Sequence, residues 1–218
     1  MAVLNVNPTR MELTNLKRKL ATARRGHKLL KDKRDELMRR FMEMVRENKE
    51  LRKRVEQKLA QANAHMALAR SVMGDADIES ALMVPMQEMT VEVREKNVMS
   101  VLIPQYDTSL RSADAADIYP YGFAFTSSEL DGAVRYLSDI LPELIRLAEL
   151  EKSCQLMAAE IEKTRRRVNA LEHVMIPQYE ETIRYITMKL DENERGNTTR
   201  IMKVKDMVLK EAHAHEAR

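Results

Sequence analysis

The sequence predicts a mostly α-helical protein: a long antiparallel two-helix coiled coil formed by the N- and C-terminal segments, with a small central region containing a short helix and a β-hairpin. Three observations carry this. Apolar residues recur in alternating steps of three and four along both ends of the chain. Only 5 glycines, 6 prolines and 4% aromatic residues are spread over 218 positions, fewer turn and core residues than a compact globule of that length needs. Charged residues make up 33%, the composition of long helices with narrow apolar seams.

The first helix is announced by "VNPTRMEL", where Asn7 can cap the free amides and Pro8 suits the first helical position. Its seam runs Leu13, Leu16, Leu20, Ala23, His27, Leu30, Arg34, Leu37, Phe41, Met44, Asn48, Leu51 and Val55, then Leu59, Ala62, Met66, Ala69 and Met73. Two steps of four around Val55 form a stutter, which locally straightens a left-handed supercoil. Gly74, Asp75 and Asp77 mark a stop and restart, so segment 1–73 is the N-terminal coiled-coil helix.

Segment 74–127 is the central knob. A short helix runs to about Leu82 before Pro85. Val91 and Val93 alternate with polar residues, a turn is expected at Glu95, Lys96 and Asn97, and a second strand at Val98 to Ile103. After Pro104 the text reads as a loop, packed back on the hairpin by Tyr119, Tyr121, Phe123 and Phe125.

Segment 128–218 is the C-terminal coiled-coil helix and tail. Ser127 or Ser128 caps it, and its seam reads Leu130, Val134, Leu137, Leu141, Leu144, Ala148, Glu151, Cys154, Met157, Ile161, Thr164, Val168, Leu171 and Met175, then Tyr179, Ile183, Ile186 and Leu190. A second stutter brackets Pro177, where a bend is expected, and Gly196 with its neighbouring asparagines is expected to fray or end the helix. Helices of this length span on the order of 100 Å each, and neither persists alone, so the two are expected to pair antiparallel with the knob at the turn end.

Charge is uneven. Residues 1–73 carry 19 basic and 8 acidic side chains, 74–127 carry 3 and 9, and 128–218 carry 15 and 17. Cys154 is alone, and no apolar run suits a membrane span or signal peptide, so the expectation is a cytoplasmic chain without membrane insertion.

No catalytic constellation is expected. Cys154 lies on a seam as a small hydrophobe, and "RRGHKLLK" lacks the strand and glycines of a phosphate loop, leaving Gly26 as a close-packing point. His213 and His215 form a metal-like pair without a second cluster, so no metal or cofactor is assigned. Lys17, Arg18, Lys19, Arg24, Arg25, Lys28, Lys31, Lys33, Arg34, Arg39 and Arg40 suggest, as an alternative, a nucleic-acid-binding arm, but aromatic stacking residues are absent there. A static scaffold is the other alternative.

The stretches "NPTRMELTNLKRKLATARRGHKLLKDKRDEL" and "EKTRRRVNALEHVMIPQYEETIRYI" resemble the D subunit of the V-type and archaeal-type rotary ATPases, with matching positions at Asn7 to Arg10, Gly26 to Lys31 and Arg165 to Glu172. The resemblance implies a non-catalytic central-stalk rotor that transmits torque between the A/B hexamer and a membrane ion-translocating ring. It also implies contact with the F subunit and with a funnel-shaped subunit on the ring, on the cytoplasmic face of a membrane. Arg165, Arg166 and Arg167 are then expected to face the hexamer, and the hairpin residues Val91, Val93, Val98, Val101 and Ile103 to sit at the end that meets the F subunit. No nucleic acid is among the partners so implied.

Overall fold

The computed structural model describes residues 4–112, 114–122, 124 and 126–216. Its elements are helix α1 (Arg10–Val72), α2 (Asp75–Leu82), strands β1 (Met89–Val98) and β2 (Val101–Leu110), a 3-10 turn (Ala115–Ile118), α3 (Ser128–Ala170), a π-helical turn (Leu171–Met175) and α4 (Ile176–Glu216). The long terminal helices and the antiparallel hairpin between them are those the sequence predicts. They fall into two compact units, residues 1–34 with 163–218, and residues 35–162.

In the first unit, α1 starts two residues later than expected. Thr9, not Asn7, is the cap: its Oγ1 accepts the Glu12 amide at 3.2 Å, in the Thr-x-x-Glu spacing of a capping box. Asn7 instead accepts the Thr9 amide through its carbonyl at 2.9 Å. Opposite, Thr182 is buried on α4, donates to the Gln178 carbonyl at 2.7 Å and accepts the Leu4 amide at 3.1 Å. One hydroxyl thus tethers the extended N-terminal strap. Polar contacts descend in antiparallel order: the ion pairs of Arg10 with Glu194 (3.6 Å) and Arg24 with Glu180 (2.6 Å), then the hydrogen bond of His27 with Glu172 (3.2 Å).

The second stutter takes the form of the π-helical turn. There the Ile176 amide reaches back to the Leu171 carbonyl, five residues away. Pro177 follows directly and has no amide to give, so the widened turn lies where its ring would otherwise press on a helical carbonyl. Gly196 does not end the helix. Thr198 and Thr199 back-bond to the Glu194 and Arg195 carbonyls at 2.9 and 3.0 Å, and α4 continues to Glu216. Gly26 is no packing point either, because a methyl placed on it would meet no atom within 4 Å.

In the second unit, the α1 seam is buried or half-buried at every position read from the sequence. The α3 seam is not. Val134 is half-buried, but Leu137, Leu141 and Leu144 are 38 to 40% exposed, while Ala133 and Ile140 (both 0%) and Leu150 (4%) are buried. Ile140 and Leu150 pack with Leu51, Val55 and Ala62, and Leu147 joins them. The face against α1 is therefore offset by about one residue from the stripe the sequence suggests. Pro142 sits within α3, which runs unbroken past it.

The hairpin is longer than expected. Its turn is Met99–Ser100, both with positive φ (53° and 71°), the geometry of a two-residue turn matched to strand twist. The Ser100 amide donates to Asn97 Oδ1 at 2.9 Å. Glu95, Lys96 and Asn97 are strand residues, paired with Pro104, Ile103 and Leu102. Counting from the closing pair Val98–Val101, Pro104 falls in a non-hydrogen-bonded pair, where a missing amide costs no ladder bond. Val101 is buried with Leu37, Met157 and Ile161. The Tyr106 amide meets Glu149 at 3.4 Å, and Leu110 faces Leu141 across a groove. The hairpin is thus laid back along α3, not perched beyond the helix ends.

Tyr121 departs from expectation as well. It joins the cluster of Ala69, Met73, Ile78 and Leu130, and its hydroxyl donates to Asp131 at 2.8 Å, pushing the phenol pKa up through burial and then through that carboxylate. Tyr119 touches it edge-on, while Phe123 and Phe125 lie outside the described residues.

Two measurements check these assignments. In urea unfolding of the purified chain, Ile140→Ala should cost about 2–5 kcal/mol and Leu137→Ala less than about 1 kcal/mol, the reverse of what the sequence stripe implies. Gly26→Ala should stabilise by roughly 1 kcal/mol, since it restores helix propensity without a clash.

Candidate partner-binding surfaces

The Arg165, Arg166 and Arg167 triplet lies between Thr164 and Val168, which are 1% and 2% exposed. Four residues apart, those two fix the buried side of the helix turn, so all three arginines are exposed. On α1 in the same unit, Lys17, Arg18, Lys19, Arg25, Lys28 and Lys31 are exposed too. Arg166 has a partner within the chain, and so do several cations of the basic run. Arg24 binds Glu180, and Lys33 and Arg34 have partners of their own. His27 hydrogen-bonds Glu172, and that bond leads the effects that hold the Glu172 carboxyl below the usual range.

In the other unit Glu36 sits between Arg39 (2.7 Å) and Arg40 (3.0 Å), whose hydrogen bonds lower its pKa, Arg39 first. These side chains edge an open cavity of about 510 Å³ beside Met44, Val98 and Ile103. Charges of both signs surround it.

The five hairpin residues divide. Val101 (6% exposed) is turned inward, and Val98 and Ile103 are half-buried against the same cluster, so they anchor the hairpin. Val91 and Val93 are 41% and 64% exposed on β1, leaving an apolar pair on the outer strand.

Two cross-helix clusters carried no sequence signal. His65 donates from Nδ1 to Glu129 at 2.8 Å and stacks on Tyr136 with ring centroids 5.2 Å apart, and Gly132 leaves room for the imidazole. Lys58 donates to Glu143 Oε1 at 2.7 Å, while Glu143 Oε2 is buried without a partner. Both clusters sit beside the seam rather than on it, so the apolar period does not mark them.

Among the described residues no group of three or more His, Cys, Asp and Glu could hold a metal ion, and no helix is long and apolar enough to cross a membrane. The side chains of His213 and His215 lie outside the described part. The "RRGHKLLK" stretch is helical throughout, which leaves no loop to cradle phosphate.

The profile of the ATP synthase D subunit family matches residues 12–206. The chain belongs to the ATP synthase D subunit family. It is 61% identical over 213 residues to the V-type ATP synthase D subunit of Acetivibrio thermocellus, covering 98% of this chain and 96% of that one. It is likewise 61% identical over 212 residues to that of Clostridioides difficile (97% and 95%), and 55% identical over 210 residues to that of Thermoanaerobacter sp. (96% and 100%). In this family member the matched span takes in the hairpin and most of α1 and α4, so the surfaces above all lie inside it.

Cys154 gives a direct check on the unit 35–162. Burial first, then the carboxylates of Glu151 and Glu47, push its thiol pKa up. Near pH 8.5, where an ordinary thiol is about half ionised, iodoacetamide should alkylate it more slowly in the folded chain than in denaturant. Folded-state labelling should then accelerate as pH rises beyond the ordinary thiol range.

Proposed function

We propose that this chain is the non-catalytic central rotor of a V-type ATP synthase, turning within the hexamer of A and B subunits and carrying torque to a membrane ion-translocating ring. ATP hydrolysis or synthesis belongs to the hexamer. The chain works at the cytoplasmic face of the membrane, held there by its partners: the A/B hexamer, the F subunit and a funnel-shaped subunit on the ring.

The observation that carries the reading is the antiparallel pairing of long helices within each unit, where one narrow face is buried and much of the remaining circumference is charged. Paired helices resist bending and twisting better than one, and a charged circumference can slide past a partner without fixed adhesion. Family membership supports the same assignment. Arg165, Arg166 and Arg167 are the proposed hexamer-facing charges, complementary to carboxylates. Val91 and Val93, with the strand that carries them, are the proposed contact for the F subunit, while Val98, Val101 and Ile103 hold that strand in place.

Co-expression with the A, B and F subunits from the same source, followed by size exclusion and ATPase assay, tests the reading. One copy per hexamer with altered ATP turnover is expected. A chain that elutes alone and binds RNA in a salt-sensitive way would overturn it. Within the complex, replacing Arg165, Arg166 and Arg167 together by Ala should lower ion transport per ATP hydrolysed, and unchanged coupling would remove those residues from the hexamer contact. Deleting the hairpin should abolish binding of the F subunit, and retained binding would move that contact elsewhere.

A further inference from the structure

Between residues 164 and 190 the seam departs from strict alternation by a single residue. It runs Thr164, Val168, Leu171, Met175, Tyr179, Ile183, Ile186 and Leu190, and omitting one residue between Met175 and Tyr179 would make every step an alternating four or three. The π-helical turn just before that interval takes up the extra residue. Pro177 stands in the same interval, and without an amide hydrogen it leaves one carbonyl of the turn without its helical donor.

Packing is thin at this level on both helices. No residue from 169 to 181 is buried, although Val168 (2% exposed) and Thr182 (0%) bracket the stretch. On α1 no residue is buried between Leu16 and Leu37, the longest such run in that helix. The small residues Thr22, Ala23 and Gly26 of α1 stand opposite Leu171, Met175 and Tyr179, and an open cavity of about 460 Å³ lies among them. A methyl placed on Gly26 would meet no atom within 4 Å, and a glycine inside a helix weakens it. Side chains lining such a gap lose their partners on one side, so little resists their movement. Two contacts still tie the helices here, Arg24 with Glu180 and His27 with Glu172, both between exposed side chains in the reach of solvent. They hold the helices together without fixing the angle between them.

We propose that residues 22–26 of α1 and residues 171–177 form a compliant joint, where the helix pair bends and twists while the packed seam on either side stays closed. The extra residue is the slack that the motion uses. Each helix is weakened at the same level, one by glycine and one by the widened turn and Pro177, so the pair yields there first. This goes beyond the rotor reading, which calls for a stiff pair and names no place where it gives.

The experiment uses the purified full chain in a Cys154→Ser background. Nitroxides on Lys163→Cys and Asp191→Cys, one on each side of the turn, report the spread of their separation by pulsed dipolar spin resonance. Amide hydrogen exchange is followed in the same protein. Amides of residues 172–176 and 178–180 should exchange at least about tenfold faster than those of residues 183–188. Deleting Pro177 removes the extra residue and the ring together and restores the alternating seam. It should narrow the spread about twofold and slow exchange around the turn about tenfold, and amides of residues 20–28 on the facing helix should slow with them. Gly26→Leu fills the cavity from α1 and leaves the backbone of the turn alone, so a narrowed spread in that variant keeps the test valid if the deletion disturbs folding.

A spread that keeps its width in both variants would overturn the proposal. So would exchange around the turn as slow as that of residues 183–188, or exchange that slows only on the helix carrying the deletion, the mark of a local packing fault. Both readouts use the chain without A, B or F subunits, so the joint and the rotor reading can fail separately.

Discussion

A helix whose apolar stripe is one residue wide has little stability of its own, because most helical stability in proteins comes from packing. Nearly everything else in this structure follows from that constraint. Along α1 the buried positions never drift from the seam, and in each unit the facing helix segment runs antiparallel beside it. Polar residues on the seam are tolerated where they find a partner. His27 meets Glu172, and beside the seam the buried Thr182 joins a strap amide to an α4 carbonyl.

Keeping two helices in register over many turns requires local corrections. The π-helical turn at Leu171–Met175 is one. By inserting an extra residue into the turn it shifts the seam from Leu171 on to Tyr179, Ile183 and Ile186, and it relieves the carbonyl that the Pro177 ring would otherwise crowd. Sequence periodicity and backbone chemistry ask for the same change at the same place.

The hairpin solves a different problem. A two-stranded ribbon is marginal in isolation, and β1 is exposed along nearly its whole length. Burial of Val101, with Val98 and Ile103 beside it, against α1 and α3 fastens the tip, and Glu149 caps an amide midway. The ribbon's base, through Met89 and Leu110, lies beside Leu137, Leu141 and Leu144 of α3.

The sequence by itself determined the helical ends, the caps to within a turn, the complete α1 seam, the existence of the hairpin and the family. These rest on local signals: period, turn chemistry and a long ungapped motif. Which of two neighbouring stripes on α3 faces α1 was decided only in the tertiary structure, because Ile140 and Leu141 are equally apolar and spacing alone cannot rank them. The strand ends were settled the same way, since Pro104 is excluded from a strand only if its amide must donate, and that depends on the register of its partner. The helix runs on through Gly196, with Thr198 and Thr199 turning their hydroxyls onto its own carbonyls, and the His65 and Lys58 clusters join residues far apart in the chain. A one-dimensional pattern reports which residues can be buried; pairing in three dimensions selects which of them are.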